Sequence, residues 1–127
     1  MAEETLSYAI RFLPRAERDA VDAAAWIAQI TGSEETAGQW YEGLRAAAGT
    51  LATLPKRFAV QTRESRLLDR PVRRLLYRRT PGSAAYHVYY TVAEDSPDGP
   101  LVAILHIRHS ARRPPSRAEA QEIKDEL

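Results

Sequence analysis

The residues best suited to chemistry lie where an apolar segment of the chain becomes cationic. Residues 101–107 form an almost unbroken run of aliphatic and β-branched residues, which favours a strand buried on both faces. The next six residues supply one imidazole and three guanidinium groups, from Arg108, His109, Arg112 and Arg113. A buried strand that ends in such groups can present an anion-binding edge. The same pattern is also typical of a core strand with a solvated basic end.

Two further segments add candidate groups to this edge. Residues 72–79 and 85–92 alternate as strands do, and we expect Arg73, His87 and Tyr89 on the open face of a sheet. Arginine beside histidine or tyrosine suits phosphate contact with base stacking. It equally suits ribonucleolytic chemistry, in which a cation holds the phosphate and histidine or tyrosine moves the proton. His87 and Tyr89 would also fit a half-exposed sheet face without any chemistry.

The elements that must position these groups begin with a strand and a helical hairpin. Residues 6–13 alternate as a strand, and Pro14 ends it at a position that suits the first turn of a helix. Gly32 suits the end of this helix, while Ser33 caps a second helix that Pro55 terminates. Apolar residues spaced by three and four form two stripes: Ala16, Ala20, Ala23, Ile27 and Ile30, then Ala37, Trp40, Leu44, Ala47, Leu51 and Leu54.

The second half of the chain predicts three strands joined by turns. Residues 56–70 are basic and irregular, so we expect a loop or a short irregular strand there. Turns at Pro81-Gly82 and at residues 96–100 separate the three strands, which are therefore antiparallel among themselves. Ser116 and Glu119 form an S-x-x-E capping box for a short polar helix.

This element order predicts an α/β (α+β) fold with one sheet and the helices packed on one of its faces. The sheet would contain the N-terminal strand and the three antiparallel strands. At 127 residues the chain fits a single domain, 1–127. Its core would extend over about residues 6–113, and residues 114–127 would form a polar C-terminal helix or tail.

Composition argues against several classes of protein and site. Cysteine is absent, so the chain has neither disulfides nor thiolate chemistry. The three histidines lie apart from clustered acids, so we expect no metal and no cofactor, and His106 within the apolar run should be a core residue. No apolar run reaches the ~20 residues that span a bilayer. Because the first residues are acidic rather than basic, we expect a cytoplasmic protein without membrane contact.

The net charge of +1 conceals a polarised chain. Residues 1–50 contain four Arg against eight acids, residues 51–117 thirteen Lys or Arg against five, and residues 118–127 one Lys against four. The middle segment therefore carries a net charge of +8 between segments of −4 and −3. Such asymmetry indicates either an anionic partner or a solvated basic face.

Five patterned segments follow one another in a distinctive order: YAIRFLPRAERDAVDAAAWI, AGQWYEGLRAAAGTLATLP, VRRLLYRR, AYHVYYTV and ILHIRHSARRP. In this order they resemble the RelE/ParE family of toxins, over roughly residues 8–113. The resemblance implies a small α/β fold and a toxin of a type II toxin–antitoxin pair. It also implies a cognate antitoxin, whose acidic C-terminal segment wraps the toxin surface in a hetero-oligomer.

The RelE/ParE family that the chain resembles includes toxins with two different activities. RelE-like members cut messenger RNA on the ribosome, and catalysis would then use Arg73 and His109 with Arg112 or Arg113, without a metal. ParE-like members inhibit DNA gyrase and have no nuclease site. Since no Tyr or His follows His109 and the charge is mild for ribosome docking, the nuclease pattern is incomplete. The ending IRHSARR looks more like the ParE-like branch.

We therefore expect an inhibitor of DNA gyrase that arrests growth and contributes to plasmid stabilisation. A ribosome-dependent mRNA endoribonuclease is the alternative, and a degenerate member that binds only its antitoxin is a third. These alternatives leave open whether the protein is an enzyme. Target or nucleic-acid binding is expected at Arg73, His87, Tyr89, Arg108, Arg112 and Arg113.

Overall fold

The fold is α+β, with four helices and one mixed four-stranded sheet among residues 7–127, the part of the chain that the computed structural model describes. Leu6, the first residue of the predicted N-terminal strand, lies outside these residues. The strands are β1 (Ala9–Phe12), β2 (Arg73–Tyr77), β3 (Tyr86–Ala93) and β4 (Leu101–His109). The helices are α1 (Pro14–Thr31), α2 (Glu34–Gly49), α3 (Thr62–Leu68) and α4 (Arg117–Glu126). The predicted fold class is confirmed.

Strand β4 lies inside the sheet, whose order is β1-β4-β3-β2. It pairs in parallel with β1 and antiparallel with β3, and β3 pairs antiparallel with β2, as predicted for the last three strands. Residues 102–107 are all buried, because neighbouring strands flank β4 and helices cover both faces of the sheet around it. The prediction of a doubly buried strand is confirmed.

Helices α1 and α2 form a hairpin against one face of the sheet. Pro14 begins α1, and Gly32 ends it with a left-handed φ of 68°. The Ser33 hydroxyl caps α2 by accepting a hydrogen bond from the backbone N–H of Thr36. The hairpin stripes meet the sheet in the larger of two apolar clusters, which includes Ala16, Ala20, Ile27, Trp40, Leu44, Tyr90 and Ile104.

The ends of the two predicted stripes differ from the structure. Helix α2 ends at Gly49 rather than at Pro55, and two short 3₁₀ turns follow, at Thr50–Ala52 and Pro55–Arg57. Leu51 remains buried in the first of these turns, whereas Leu54 is exposed with a φ of 48°. Ile30, in the last turn of α1, is exposed as well. None of the helices among residues 7–127 is long and apolar enough to cross a membrane.

A second helical layer covers part of the opposite face, which we expected to be open. Helix α3 lies in the segment predicted as a basic loop, since seven residues with two adjacent leucines are too few to show a helical period. Helix α4 begins with the predicted capping box at Ser116 and Glu119. With the sheet these helices enclose the smaller apolar cluster, which includes Leu68, Val72, Tyr89, Leu105, Ala120 and Ile123.

Arg15, near the start of α1, holds α4 against the sheet. Its Nη2 donates to Glu119 at 2.7 Å, and its Nη1 pairs with Glu122. Its backbone N–H donates to Glu126 at 3.0 Å. At the other end of the contact, Lys124 pairs with Asp69 at 2.7 Å, just after α3. Helix α4 therefore combines a small buried apolar face, formed by Ala120 and Ile123, with ionic contacts at both of its sides.

Trp40 provides the first test of this fold. It is 2 % exposed and packs edge-to-face on Tyr86, with ring centroids 4.8 Å apart. Replacement by alanine should lower the free energy of unfolding by about 3–5 kcal/mol, because the cavity cannot collapse fully. Trp26→Ala is the matched control: the ring is 42 % exposed, and the expected loss is below about 1 kcal/mol. Denaturant unfolding measures both, and similar losses for the two variants would contradict the packing described.

Candidate functional site

An extra residue in β4 interrupts the register of the central strand pair. Tyr89 of β3 is paired with His106, but the next residue, Tyr90, is paired with Ile104. Leu105 therefore has no partner of its own across the strand pair and forms a β-bulge. Bulges of this kind shift every following side chain to the other face of the sheet.

The bulge determines the faces on which the functional side chains of β4 lie. Leu105 packs in the smaller cluster beneath α3 and α4, so simple alternation would place His109 on the same face. Instead, Arg108 lies beside His87 on the α3–α4 face. His109 packs against Tyr86 on the hairpin face, with ring centroids 5.1 Å apart.

Two arginines meet one histidine on the α3–α4 face, and we call Arg74, His87 and Arg108 the basic cluster. The Nδ1 atom of His87 lies 3.4 Å from Arg74 Nη1 and 3.2 Å from Arg108 Nη2. Neither arginine has a carboxylate within ion-pair distance among residues 7–127. The cluster therefore concentrates positive charge without a direct ion pair, and the nearby carboxylate of Glu64 offsets only part of its effect on His87.

His87 is held neutral in this cluster. Burial lowers its pKa from 6.5 to about 4, and the positive charges of Arg108 and Arg74 add to that effect. An unprotonated Nδ1 can accept from the guanidinium groups, which leaves the ring proton on Nε2. The cluster thus offers two cations and one neutral N–H donor, a combination that suits an anion.

Arg108 also organises the chain beyond β4. Its Nε donates to the Tyr89 hydroxyl at 3.0 Å, and its Nη1 donates to the carbonyl oxygen of Arg112 at 2.7 Å. With His87 against Nη2, each nitrogen of the guanidinium has a protein partner. Arg108 therefore acts as a positioning residue for the turn that carries Arg112 and Arg113, both of which are exposed.

Arg73 lies away from the basic cluster, contrary to the prediction that it shares a face with His87 and Tyr89. It occupies the hairpin face with Leu75 and Tyr77, and its Nη1 donates to the carbonyl oxygens of Lys56 at 3.0 Å and Phe58 at 2.6 Å. The neighbouring Arg74 takes the expected position instead. The sequence contained a signal for this, because the alternation that placed Arg73 with two apolar residues also pointed it towards the core.

Tyr89 and the predicted Arg73–His109 pair are corrected as well. Tyr89 is buried beneath α4 rather than open, although its hydroxyl reaches Arg108. Arg73 pairs with Tyr90, whereas His109 pairs with Tyr86 four residues away on β3. At ~3.3 Å per residue this separates the two positions by about 13 Å along the strand. The structure does not bring Arg73 and His109 to one point.

Residues 10–114 match the family model described as "ParE toxin of type II toxin-antitoxin system, parDE". This match covers most of the chain. The chain belongs to the ParE toxin family. No curated protein matches it.

Family membership confirms the resemblance drawn from the patterned segments. This ParE-family protein is the toxin component of a type II toxin–antitoxin system, and such a system implies a cognate antitoxin as partner. The match ends at residue 114, so it includes the basic cluster and the cationic turn but not α4.

His106 in this ParE-family toxin has the structural role that its apolar context predicted. The ring is 6 % exposed and stacks on Tyr89, with centroids 6.1 Å apart. Its Nδ1 lies 2.8 Å from the Asp19 carboxylate of α1. Among residues 7–127, no group of three or more His, Cys, Asp or Glu is placed to hold a metal ion.

The neutral state of His87 makes the stability of the toxin depend on pH. The unfolded chain binds the His87 proton near pH 6.5, whereas the folded chain binds it only near pH 4. Unfolding therefore takes up a proton between these values, and stability falls as the pH drops through this window, by at most about 3 kcal/mol.

His87→Gln should flatten that part of the curve, because glutamine does not titrate. Urea unfolding of both proteins at steps between pH 7 and pH 4 measures the difference. Other groups contribute equally to both proteins and cancel in the difference curve. Parallel curves for the two proteins would show that His87 titrates normally in the folded state.

Proposed function

We propose that this ParE-family toxin arrests growth by binding DNA gyrase and inhibiting it, rather than by cutting messenger RNA. The observation that carries the proposal is the separation of Arg73 from His109, the pair that the sequence offered for a nuclease. Arg73 is also occupied by two backbone carbonyl oxygens. An inhibitor needs no convergent catalytic pair, since it acts through a contact surface in which a few residues dominate.

The cationic turn after β4 supports this reading electrostatically. Arg112 and Arg113 are exposed, and neither forms an ion pair with any residue of the segment 7–127. During supercoiling gyrase is bound to DNA, and the negative charge of the DNA phosphates attracts an unneutralised cationic edge over several ångströms. Such attraction chiefly raises the association rate and depends on ionic strength.

A supercoiling assay with purified gyrase tests the proposal. The wild-type toxin should inhibit supercoiling, and the double variant Arg112→Ala/Arg113→Ala should need at least about tenfold more protein for the same inhibition at low salt. The double variant Arg66→Ala/Arg79→Ala removes the same charge from exposed positions elsewhere and should behave like wild type. Full supercoiling in the presence of folded, growth-arresting toxin would mean that gyrase is not the target.

A second candidate function rests on the basic cluster. In RNA cleavage the 2′-hydroxyl attacks the adjacent phosphate and displaces the 5′-oxygen, so guanidinium groups would stabilise the charge that develops on phosphorus-bound oxygens. Arg74 and Arg108 flank His87 in a way that suits such a phosphate. This observation favours the endoribonuclease alternative over a simple surface patch.

The low pKa of His87 and the existing contacts of Arg108 make the endoribonuclease the second candidate. A histidine with a pKa of about 4 is protonated in roughly one molecule in a thousand at pH 7, so it is a scarce general acid as well as a weak base. Arg108 also has protein partners on each of its nitrogens. A nuclease site here would have to exchange those contacts for contacts with RNA.

The alternative makes its own testable prediction. If the cluster is catalytic, Arg74→Ala should slow cleavage of a translated message by at least about 100-fold, because it removes charge stabilisation from the transition state. Arg79→Ala is the matched control, since it changes an exposed arginine of the same region. Primer extension on a reporter message detects the cuts. Absence of cuts with a toxic wild type would exclude the nuclease reading.

A further inference from the structure

Leu54 combines an exposed side chain with a strained backbone in the segment between α2 and α3. It is 64 % exposed, which is the highest value among the exposed large hydrophobic residues of the segment 7–127. Its φ of 48° and ψ of 56° lie in the left-handed region. The Cβ of leucine disfavours this region, and the following Pro55 restricts the residue before it to extended conformations. Strained positions cluster at functional sites, where surrounding contacts enforce them.

Arg57 enforces the conformation of Leu54. Its Nη1 donates to the carbonyl oxygens of Thr53 at 2.7 Å, of Leu54 at 3.1 Å and of Thr50 at 3.3 Å. Its backbone N–H donates to the Leu54 carbonyl oxygen at 3.2 Å. These bonds fix the direction of the Leu54 carbonyl group. We call residues 53–58 the Leu54 loop.

Strands β2 and β3 hold the Leu54 loop from the core side. The buried Tyr90 hydroxyl donates to the carbonyl oxygen of Pro55, which is itself buried. Arg73 donates to the carbonyl oxygens of Lys56 at 3.0 Å and Phe58 at 2.6 Å. Arg73 therefore supports this loop instead of the basic cluster. Because the backbone is anchored from both sides, the loop has little conformational freedom to lose when a partner binds.

The charges of the Leu54 loop indicate the chemistry of a partner. Lys56 and Arg57 are the only charged residues between positions 50 and 60. Lys56 pairs with Glu94, whereas Arg57 is exposed and forms no ion pair among residues 7–127. The carbonyl oxygens that Arg57 bonds leave its positive charge in place. A complementary surface therefore has an apolar pocket for Leu54 and a carboxylate facing Arg57.

Two other occupants fit the Leu54 loop less well. A second copy of the chain would meet it through a symmetric contact, which brings the Arg57 side chains of both copies together. Nucleic acid is bound through its phosphates and stacked bases, and a leucine side chain offers them neither a charge nor a flat ring. A pocket on another protein is therefore the occupant that suits this loop.

We propose that Leu54 anchors the toxin in an apolar pocket of a gyrase subunit, with a gyrase carboxylate against Arg57. This assignment rests on the proposed function and names the protein contact within it. The cationic turn after β4 attracts the target from a distance, and Leu54 makes the close contact. Burial of the exposed leucine removes apolar area from water, while the fixed loop limits the entropic cost.

Titration of purified toxin with purified gyrase subunits tests the assignment. Leu54→Gly removes the side chain and relieves the left-handed φ. It should weaken gyrase binding at least about tenfold, because the apolar burial is lost. Its urea midpoint of unfolding should stay at or above that of the wild type, so the loss cannot come from unfolding. Growth arrest at matched soluble toxin levels should weaken in the same variant.

Two matched variants show whether the leucine side chain itself is recognised. Leu54→Met keeps an apolar side chain of similar volume and should bind gyrase within about threefold of the wild type. Ile30→Ala removes an aliphatic side chain that is 58 % exposed at the end of α1 and should bind gyrase like the wild type. The affinity of each variant for the cognate antitoxin and its self-association are measured in parallel.

Three outcomes would overturn the assignment. If Leu54→Gly binds gyrase as tightly as the wild type, Leu54 is not the anchor, although the gyrase proposal stands. If Leu54→Gly keeps gyrase binding but loses antitoxin affinity or self-association, the loop serves that partner instead. If the wild type does not bind gyrase, the gyrase proposal fails and this assignment fails with it. The first two results therefore differ from a failure of the proposed function.

Discussion

A single unpaired residue in the central strand decides where the functional side chains of this toxin lie. Leu105 bulges between the pairs Tyr89–His106 and Tyr90–Ile104. Because side chains alternate across a sheet, the extra residue transfers Arg108 to one face and His109 to the other. Arg108 therefore joins His87 in the basic cluster, whereas His109 packs on Tyr86 on the opposite face of the same strand.

Arg108 connects the basic cluster to the turn after β4. Its guanidinium reaches His87 and Tyr89 on one face, while it also bonds the backbone of the turn that carries Arg112. The backbone of the turn that carries the cationic side chains is therefore held by a partly buried hydrogen-bond network. By contrast, Arg15 forms ion pairs with Glu119 and Glu122 of α4, so its charge is compensated within the protein. Because the side chain of Arg108 is already held by its hydrogen bonds, it has little conformational freedom left to lose on binding.

The candidate site was partly predictable from local pattern. The cationic end of β4 was evident because apolar burial and its abrupt loss are both visible in consecutive residues, and His106 was correctly assigned to the core for the same reason. Arg73 was predicted at the position beside His87 that Arg74 occupies. Its alternation with Leu75 and Tyr77 already indicated the opposite face, towards the helical hairpin. Helix α3 was missed because a seven-residue helix is too short to display a period.

The sequence by itself determined the element order, the fold class, the hairpin caps and the family, because periodicity, turn chemistry and segment order are properties of neighbouring residues. Only the tertiary structure decided that α3 and α4 cover the second face, that β4 bulges at Leu105, and that Arg73 supports the Leu54 loop. These features depend on contacts between residues far apart in the chain. A register shift of one residue leaves no local trace, yet it reverses every side chain that follows it.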